Sequence, residues 1–249
     1  MLSQGTRRLR RGPNNRNMSD ITAVILCGGK GERLRPFTEH LPKPLVPLNG
    51  RPILHYLLDY LDRSGVSDFV LCTGYKAECI EQFVREQCAA HWKIRCVNSG
   101  DVSMTQRLRD AWPHVGHRAL ICYGDTLANV NLQGLRRQHE QSSAIATMAL
   151  YRPNSPFGVV EFDPQHRIHS FIEKPPLPHW INIGFILCES ALTVEHLCST
   201  PDMVEFLSGL AASGKLFAYE HSGKHLTVNT EKERQQAESE IEFLSILDA

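Results

Sequence analysis

The chain has 249 residues, 42% of them hydrophobic, with 27 basic and 27 acidic side chains and no formal net charge. A chain of this length and composition can bury one substantial core, and a single domain is the default. Five arginines and no acid fall in the first 17 residues, leaving 22 basic against 27 acidic groups in the rest; that balance argues against a nucleic-acid surface, and no apolar run approaches the ~20 residues of a membrane span.

The basic start, MLSQGTRRLRRGPNNRN, lacks apolar periodicity and reads as a disordered arm over residues 1–19, with Met18 as an alternative start. One domain is expected over 20–249. ITAVIL (21–26) is a continuous apolar run suited to a strand buried on both faces. In PILHYLLDYLDRSG (52–65), Pro52 near the start and Gly65 beyond the end bracket a helix with Ile53, Leu57, Leu58 and Leu61 on one face. DFVLCTGY (68–75) reads as a strand, AECIEQFVREQC (77–88) as a helix and KIRCV (93–97) as a strand. This β-α-β-α-β order predicts right-handed crossovers and a parallel sheet whose ligand crevice lies beyond the carboxyl ends of its strands.

RALICYGD (118–125) is a further strand that runs into an acidic residue. SAIATMAL (143–150), FGVVEFD (157–163), RIHSFIEK (167–174) and WINIGFILC (180–188) follow as strands, with helices near 189–198 and 202–213. Thr230 and Glu233 form a capping box that opens a last helix running to Leu247. The expected fold class is three-layer α/β, a Rossmann-like and mostly parallel sheet with a strand-rich second lobe. The eight cysteines are scattered without a C-x-x-C pair, which suggests a reducing, cytoplasmic setting. His114 and His117 lack a third ligand at metal spacing and read as a loop pair.

Residues 27–48, CGGKGERLRPFTEHLPKPLVPL, combine three glycines with Arg33, Arg35 and Lys43 directly after the first strand. Backbone amides of a glycine-rich turn can converge on phosphate oxygens because no Cβ blocks the approach, and the fixed positive charges offset phosphate repulsion. The stretch suits a polyphosphate. It is neither a P-loop, G-x-x-x-x-G-K-[ST], nor the G-x-G-x-x-G dinucleotide fingerprint.

The run L-C-G-G-x-G-x-R-L-x-P-x-T followed by P-K-P-L-x-P-L-x-G-x-P-I-L, from Leu26 to Leu54, resembles the opening of the sugar-phosphate nucleotidyltransferases, the nucleotide-sugar pyrophosphorylases. The likeness continues through TGY (73–75), YGD (123–125), EKP (173–175) and WINIGF (180–185). Within the family, the order DFVLCTGY, YGDTLANVNL, WINIGF and a late AYEHSGK is most similar to glucose-1-phosphate cytidylyltransferases. The resemblance implies a nucleotide-diphospho-sugar transferase-like fold whose strand-rich lobe binds sugar. It also implies attack of a sugar 1-phosphate oxygen on the α-phosphorus of a nucleoside triphosphate, with release of pyrophosphate. The base would be cytosine and the sugar a hexose. Nucleic acid and membrane are not expected partners, and a homo-oligomer remains open.

Carried over residue by residue, the resemblance places Leu26, Gly28, Gly29, Gly31 and Gln106 on the nucleotide. Arg33 would stabilise the leaving pyrophosphate, Lys43 the α-phosphate, and Asp125 would hold Mg²⁺ together with Asn229. Glu173, Lys174 and Asn182 would take the sugar phosphate. Three positions depart from the family pattern. Glu32 puts a carboxylate beside an anionic ligand unless it turns towards Lys30 or Arg35. Asn229 stands where the family has a second metal carboxylate, and Gln106 where it has a glycine that lets the base approach. The departures at Glu32 and Asn229 motivate an alternative from another class, a catalytically weakened homologue that binds these ligands as a sensor or scaffold.

Overall fold

The computed structural model describes residues 18–245. The arm expected over 1–19 lies outside them except at Met18 and Ser19, and residues 246–249 lie outside as well. Met18 is 3% exposed within the core.

In chain order the first half comprises β1 (Ile21–Leu26), α1 (Phe37–His40), β2 (Pro47–Leu48), β3 (Arg51–Pro52), α2 (Ile53–Arg63), β4 (Asp68–Thr73), α3 (Ala77–Gln87), β5 (Lys93–Asn98) and α4 (Met104–Ala111). Next come β6 (Arg118–Tyr123), β7 (Thr126–Ala128), α5 (Leu132–Glu140), β8 (Ala146–Tyr151), β9 (Val159–Phe162), β10 (Ile168–Ile172) and β11 (Ile181–Glu189). The chain continues with α6 (Ser190–Ser199), α7 (Met203–Ala212), β12 (Leu216–His221), β13 (His225–Thr227) and α8 (Glu231–Glu240).

A seven-stranded sheet has the order β12-β8-β11-β6-β1-β4-β5. All neighbours are parallel except β11, which runs antiparallel to both β6 and β8. From β1 the chain builds outward through β4 to β5, then crosses to β6 on the other side of β1. That reversal makes the carboxyl ends of β1 and β6 a topological switch point, where open α/β sheets bind ligands.

Alternation along the strands divides the core into two layers. Ala23 and Ile25 of β1, Phe69 and Leu71 of β4, and Leu120 and Cys122 of β6 face a layer closed by Leu57 and Leu61 of α2, Ile80 and Phe83 of α3, and Leu135 of α5. Val24, Val70, Cys72 and Ile121 face the opposite layer, with Leu108 of α4, Leu197 of α6 and Phe206 and Leu210 of α7. The expected three-layer arrangement is therefore present.

Several expectations change in detail. Strands 143–150 and 180–188 belong to the main sheet, as β8 and β11, and of the four strands expected there β9 and β10 lie outside it as an antiparallel hairpin. Pro52 ends a short strand and serves as the N-cap position of α2, and Gly65 sits beyond its end at φ +98°. The Thr230–Glu233 capping box is formed as expected, but the helix stops at Glu240 and a 3-10 turn follows over Ile241–Ser245. Ile241, Phe243 and Leu244 of that turn are all buried. Helices α4 and α5 and strands β7, β12 and β13 had no clear sequence signal. Among the described residues no helix is long and apolar enough to cross a membrane.

Candidate active site

A cavity of about 520 Å³ opens at the switch point, a volume suited to a small-molecule ligand. Leu26, Cys27, Gly28, Gly29, Lys30, Gly31, Glu32 and Arg33 form one wall, Tyr123, Gly124 and Asp125 another, and Lys43, Pro44, Met104, Arg107 and Asn229 complete it. Segments from the first, middle and last parts of the chain thus meet.

The glycine loop leaves β1 and is shaped by Gly31, whose φ of +62° favours glycine. A Cβ there would stand 2.9 Å from Lys43 Cβ and 3.1 Å from Thr38 Cγ2. Thr38 Oγ1 donates to Gly31 O at 3.0 Å and Tyr75 Oη to Thr38 O at 2.8 Å, so α1 braces the loop from behind. Lys43 is held in the 3-10 turn Lys43–Leu45 between Pro42 and Pro44 and is only 9% exposed.

Asp125 follows the carboxyl end of β6. Pairing of β7 with β13 brings the segment before α8 alongside it, with Val228 N donating to Asp125 O at 3.2 Å. Asn229 is anchored by its own N–H to Glu233 Oε2 at 2.6 Å, on the carboxylate of the capping box. Lys43 Nζ donates to Asp125 Oδ2 and, at 2.8 Å, to Asn229 Oδ1. Arg33 Nη2 donates to the same Asn229 Oδ1 at 3.0 Å. Two cations, one carboxylate and one amide oxygen therefore share a single hydrogen-bonded group.

Glu32 pairs with Arg35 at 3.8 Å, one of the two partners considered for it. The other, Lys30, instead binds Asp101 at 2.8 Å and links the glycine loop to the loop after β5. That hydrogen bond raises the Lys30 pKa and lowers that of Asp101. Burial pushes the Cys27 thiol up, so it remains neutral in the wall. The Tyr123 hydroxyl is also raised by burial, against the opposing effect of its hydrogen bond from Asn182.

Of the residues singled out from sequence, Leu26, Gly28, Gly29, Gly31, Arg33, Lys43, Asp125 and Asn229 line this one cavity. Gln106 does not. Its amide donates to Asp110 Oδ1 at 2.7 Å and accepts from Arg109 Nε at 3.1 Å. Successive helical residues turn by about 100°, so Met104 and Arg107, three apart on α4, share the face that reaches the cavity and Gln106 lies off it. Asn182 stands one residue removed from the cavity, donating to Tyr123 Oη at 3.3 Å. Glu173 and Lys174 follow β10, 3.9 Å apart and exposed, outside the cavity walls. Tyr123, Met104 and Arg107 were missed: the first belongs to the noted motif YGD, and the other two lie in SMTQRLRDA (103–111), where Gln106 was singled out instead of these neighbours on the cavity-facing side.

The donors at Asp125 and Asn229 suit Mg²⁺, which takes one or two protein oxygens beside phosphate and water. Among the described residues no group of three or more His, Cys, Asp or Glu could hold a metal, so phosphate oxygens of a ligand together with water would complete the coordination.

The family model described as "Nucleotidyl transferase" matches residues 22–196. The chain is 32% identical over 237 residues to the "Probable glucose-1-phosphate cytidylyltransferase" of Bacillus subtilis (strain 168), covering 85% of this chain and 92% of that protein. It is also 32% identical over 182 residues to the mannose-1-phosphate guanylyltransferase of Mycobacterium tuberculosis, covering 68% of this chain and 49% of that one. Among solved structures, HddC from Yersinia pseudotuberculosis complexed with GMP-PN superposes with a TM-score of 0.67 at 19% identity, covering 88% of this chain and 99% of that one.

Proposed function

Because the chain belongs to the nucleotidyl transferase family, and is a sugar-phosphate nucleotidyltransferase by its relatives, we propose that it transfers a cytidylyl group from CTP to a hexose 1-phosphate. The observation that carries this reading is the convergence of Arg33, Lys43, Asp125 and Asn229 at the mouth of a glycine loop on the switch point. The choice of CTP rests on the cytidylyltransferase relative, which matches over 92% of its own length where the Mycobacterium tuberculosis guanylyltransferase matches over 49% of its own.

An oxygen of the sugar 1-phosphate forms a bond to the α-phosphorus, the bond from that phosphorus to the β-phosphate bridging oxygen breaks, and pyrophosphate departs with the bonding electrons. Such chemistry needs positioning and charge neutralisation more than proton transfer. The glycine loop would seat the triphosphate. Lys43, already in the cavity, would turn from Asp125 to the α-phosphate, and Arg33 at the rim would meet the leaving pyrophosphate. Asp125 and Asn229 would hold Mg²⁺, which when bound supplies further neutralisation at phosphate oxygens. Asn182, through Tyr123, would orient the sugar, and Glu173 and Lys174 would approach it from the hairpin.

A second reading keeps support from Asn229: with one carboxylate at the metal position, the chain would bind these ligands without turning them over. Glu32 supports it less, since its carboxylate pairs with Arg35. A panel pairing each nucleoside triphosphate with several sugar 1-phosphates, scored for pyrophosphate release, tests both. Turnover with CTP and a hexose 1-phosphate above all other pairs is expected; release with another base would reassign the specificity, and binding without release for every pair would favour the second reading.

A further inference from the structure

Arg107 is 6% exposed, in α4 beneath the glycine loop, and none of the roles above involves it. Its Nη2 donates to Gly28 O at 3.1 Å and to Gly100 O at 2.8 Å. Its Nε is buried without a hydrogen-bond partner. Among the described residues no carboxylate pairs with it, and Asp101, close enough to feel its charge, is bound to Lys30. A buried guanidinium is costly unless hydrogen bonds and a nearby anion compensate it. Here the carbonyls are present and the anion is not.

The surrounding backbone leaves room for this side chain. A Cβ on Gly28 would collide with Nε and stand 2.7 Å from Cζ; one on Gly74 would stand 2.9 Å from Nη2. Gly28 O also accepts from Tyr75 N at 3.2 Å, so one carbonyl ties the loops after β1 and β4 to α4. In a trans peptide the N–H points opposite to the C=O. The Gly29 N–H is thereby directed away from the guanidinium, and a hydrogen bond at the carbonyl strengthens it as a donor. Arg109 on the same helix provides a contrast: its Nη1 donates to Leu197 O at 2.7 Å and Thr200 O at 2.9 Å, a similar two-carbonyl clamp outside the cavity wall.

We propose that Arg107 is a positioning residue for the polyphosphate: it fixes the glycine loop through the Gly28 carbonyl and places behind that loop a positive charge whose missing counter-anion is the bound phosphate chain. The assignment rests on the polyphosphate reading of the cavity and on no particular base. Calorimetric titration with inorganic tripolyphosphate, pyrophosphate and orthophosphate, on wild type, Arg107→Met, Arg107→Lys and Arg109→Met, tests it without a nucleoside. Arg107→Met is expected to weaken tripolyphosphate binding by about tenfold or more, with a smaller loss for pyrophosphate and the least for orthophosphate. Arg107→Lys should keep most of that grading with charge but lose a few-fold overall, because one ammonium does not reproduce the fixed guanidinium geometry. Arg109→Met should bind like wild type. If Arg107→Met does not fold, judged by circular dichroism, the lysine variant alone decides, and its affinity equal to wild type would overturn the proposal. An equal loss for all three anions, or a loss matched by Arg109→Met, would do the same by marking a purely structural role. Wild type that binds no polyphosphate would sink the cavity reading and this assignment together, whereas binding by wild type and Arg107 variants alike would remove only the latter.

Discussion

Replacing Lys43 with alanine removes the cation that holds Asp125 and Asn229 together. Both Nζ contacts are to oxygen, one of them a carboxylate, and hydrogen bonds to charged groups contribute roughly 1.5–3 kcal/mol. The Asp125 side chain is 30% exposed, so water recovers part of that loss, and a net destabilisation of about 1–2 kcal/mol follows. For a domain of this size it lowers Tm by roughly 2–8 °C. The effect on catalysis is larger in kind, because the lysine would act on charge that develops in the transition state. Loss of one such donor costs about 2.7–4 kcal/mol, or 100-fold to 1,000-fold in turnover. Thermal unfolding and pyrophosphate release with saturating substrates measure the two quantities on one preparation. Combining Lys43→Ala with Asp125→Asn should return part of the stability, since no carboxylate is then left without its partner, and none of the turnover. A folded Lys43→Ala protein with turnover within fivefold of wild type would refute the role given to Lys43.

Other expectations follow from the same geometry. Asp125→Asn should abolish turnover at every Mg²⁺ concentration, and Asn229→Asp should lower the Mg²⁺ concentration giving half-maximal rate by adding a carboxylate; an unchanged metal titration in both would place the ion elsewhere. Glu32→Thr should leave triphosphate affinity within about threefold, since an exposed ion pair such as Glu32 with Arg35 contributes only ~0–1 kcal/mol; a gain of activity from an inactive wild type would instead favour the sensor reading. Gly31→Ala should destabilise by at least ~1 kcal/mol and lower turnover, because its backbone sits at φ +62° and the new methyl presses on Lys43. Burial, assisted by neighbouring His221, lowers the His225 pKa from 6.5 to about 4. The unfolded chain then binds more protons between those values, so stability is full above pH 6.5 and falls as pH drops towards 4, by up to about 3 kcal/mol. Tm measured from pH 7 to 4.5 should decline, and His225→Phe should flatten part of that slope; an identical slope would remove His225 as a source.

Local sequence determined the parts of this protein whose causes are local. The apolar run 21–26 had to be a buried strand, Pro52 and Gly65 bracketed a helix, and Thr230 with Glu233 formed the capping box now observed. The glycines and cations of 27–48 announced an anion cradle because backbone freedom and fixed charge lie within a few residues of each other. Tertiary structure decided what depends on partners distant in the chain. Lys30 had Glu32 two residues away yet pairs with Asp101, brought near by the parallel pairing of β4 with β5 and the loop that follows. Lys43 and Asn229 are 186 positions apart and meet only because β13 pairs with β7. Gln106 and Arg107 are neighbours in sequence, but the docking of α4 on the sheet turns one to Asp110 and the other under the glycine loop. Helices α4 and α5 gave little warning, since their arginines find partners outside their own helices: Arg109 of α4 donates to Leu197 O and Thr200 O, and Arg136 of α5 pairs with Asp20 ahead of β1. Periodicity records which face of an element is apolar; which charge it meets across the fold is fixed by packing, because an ion pair between elements distant in the chain carries no trace in the spacing of the residues that form it.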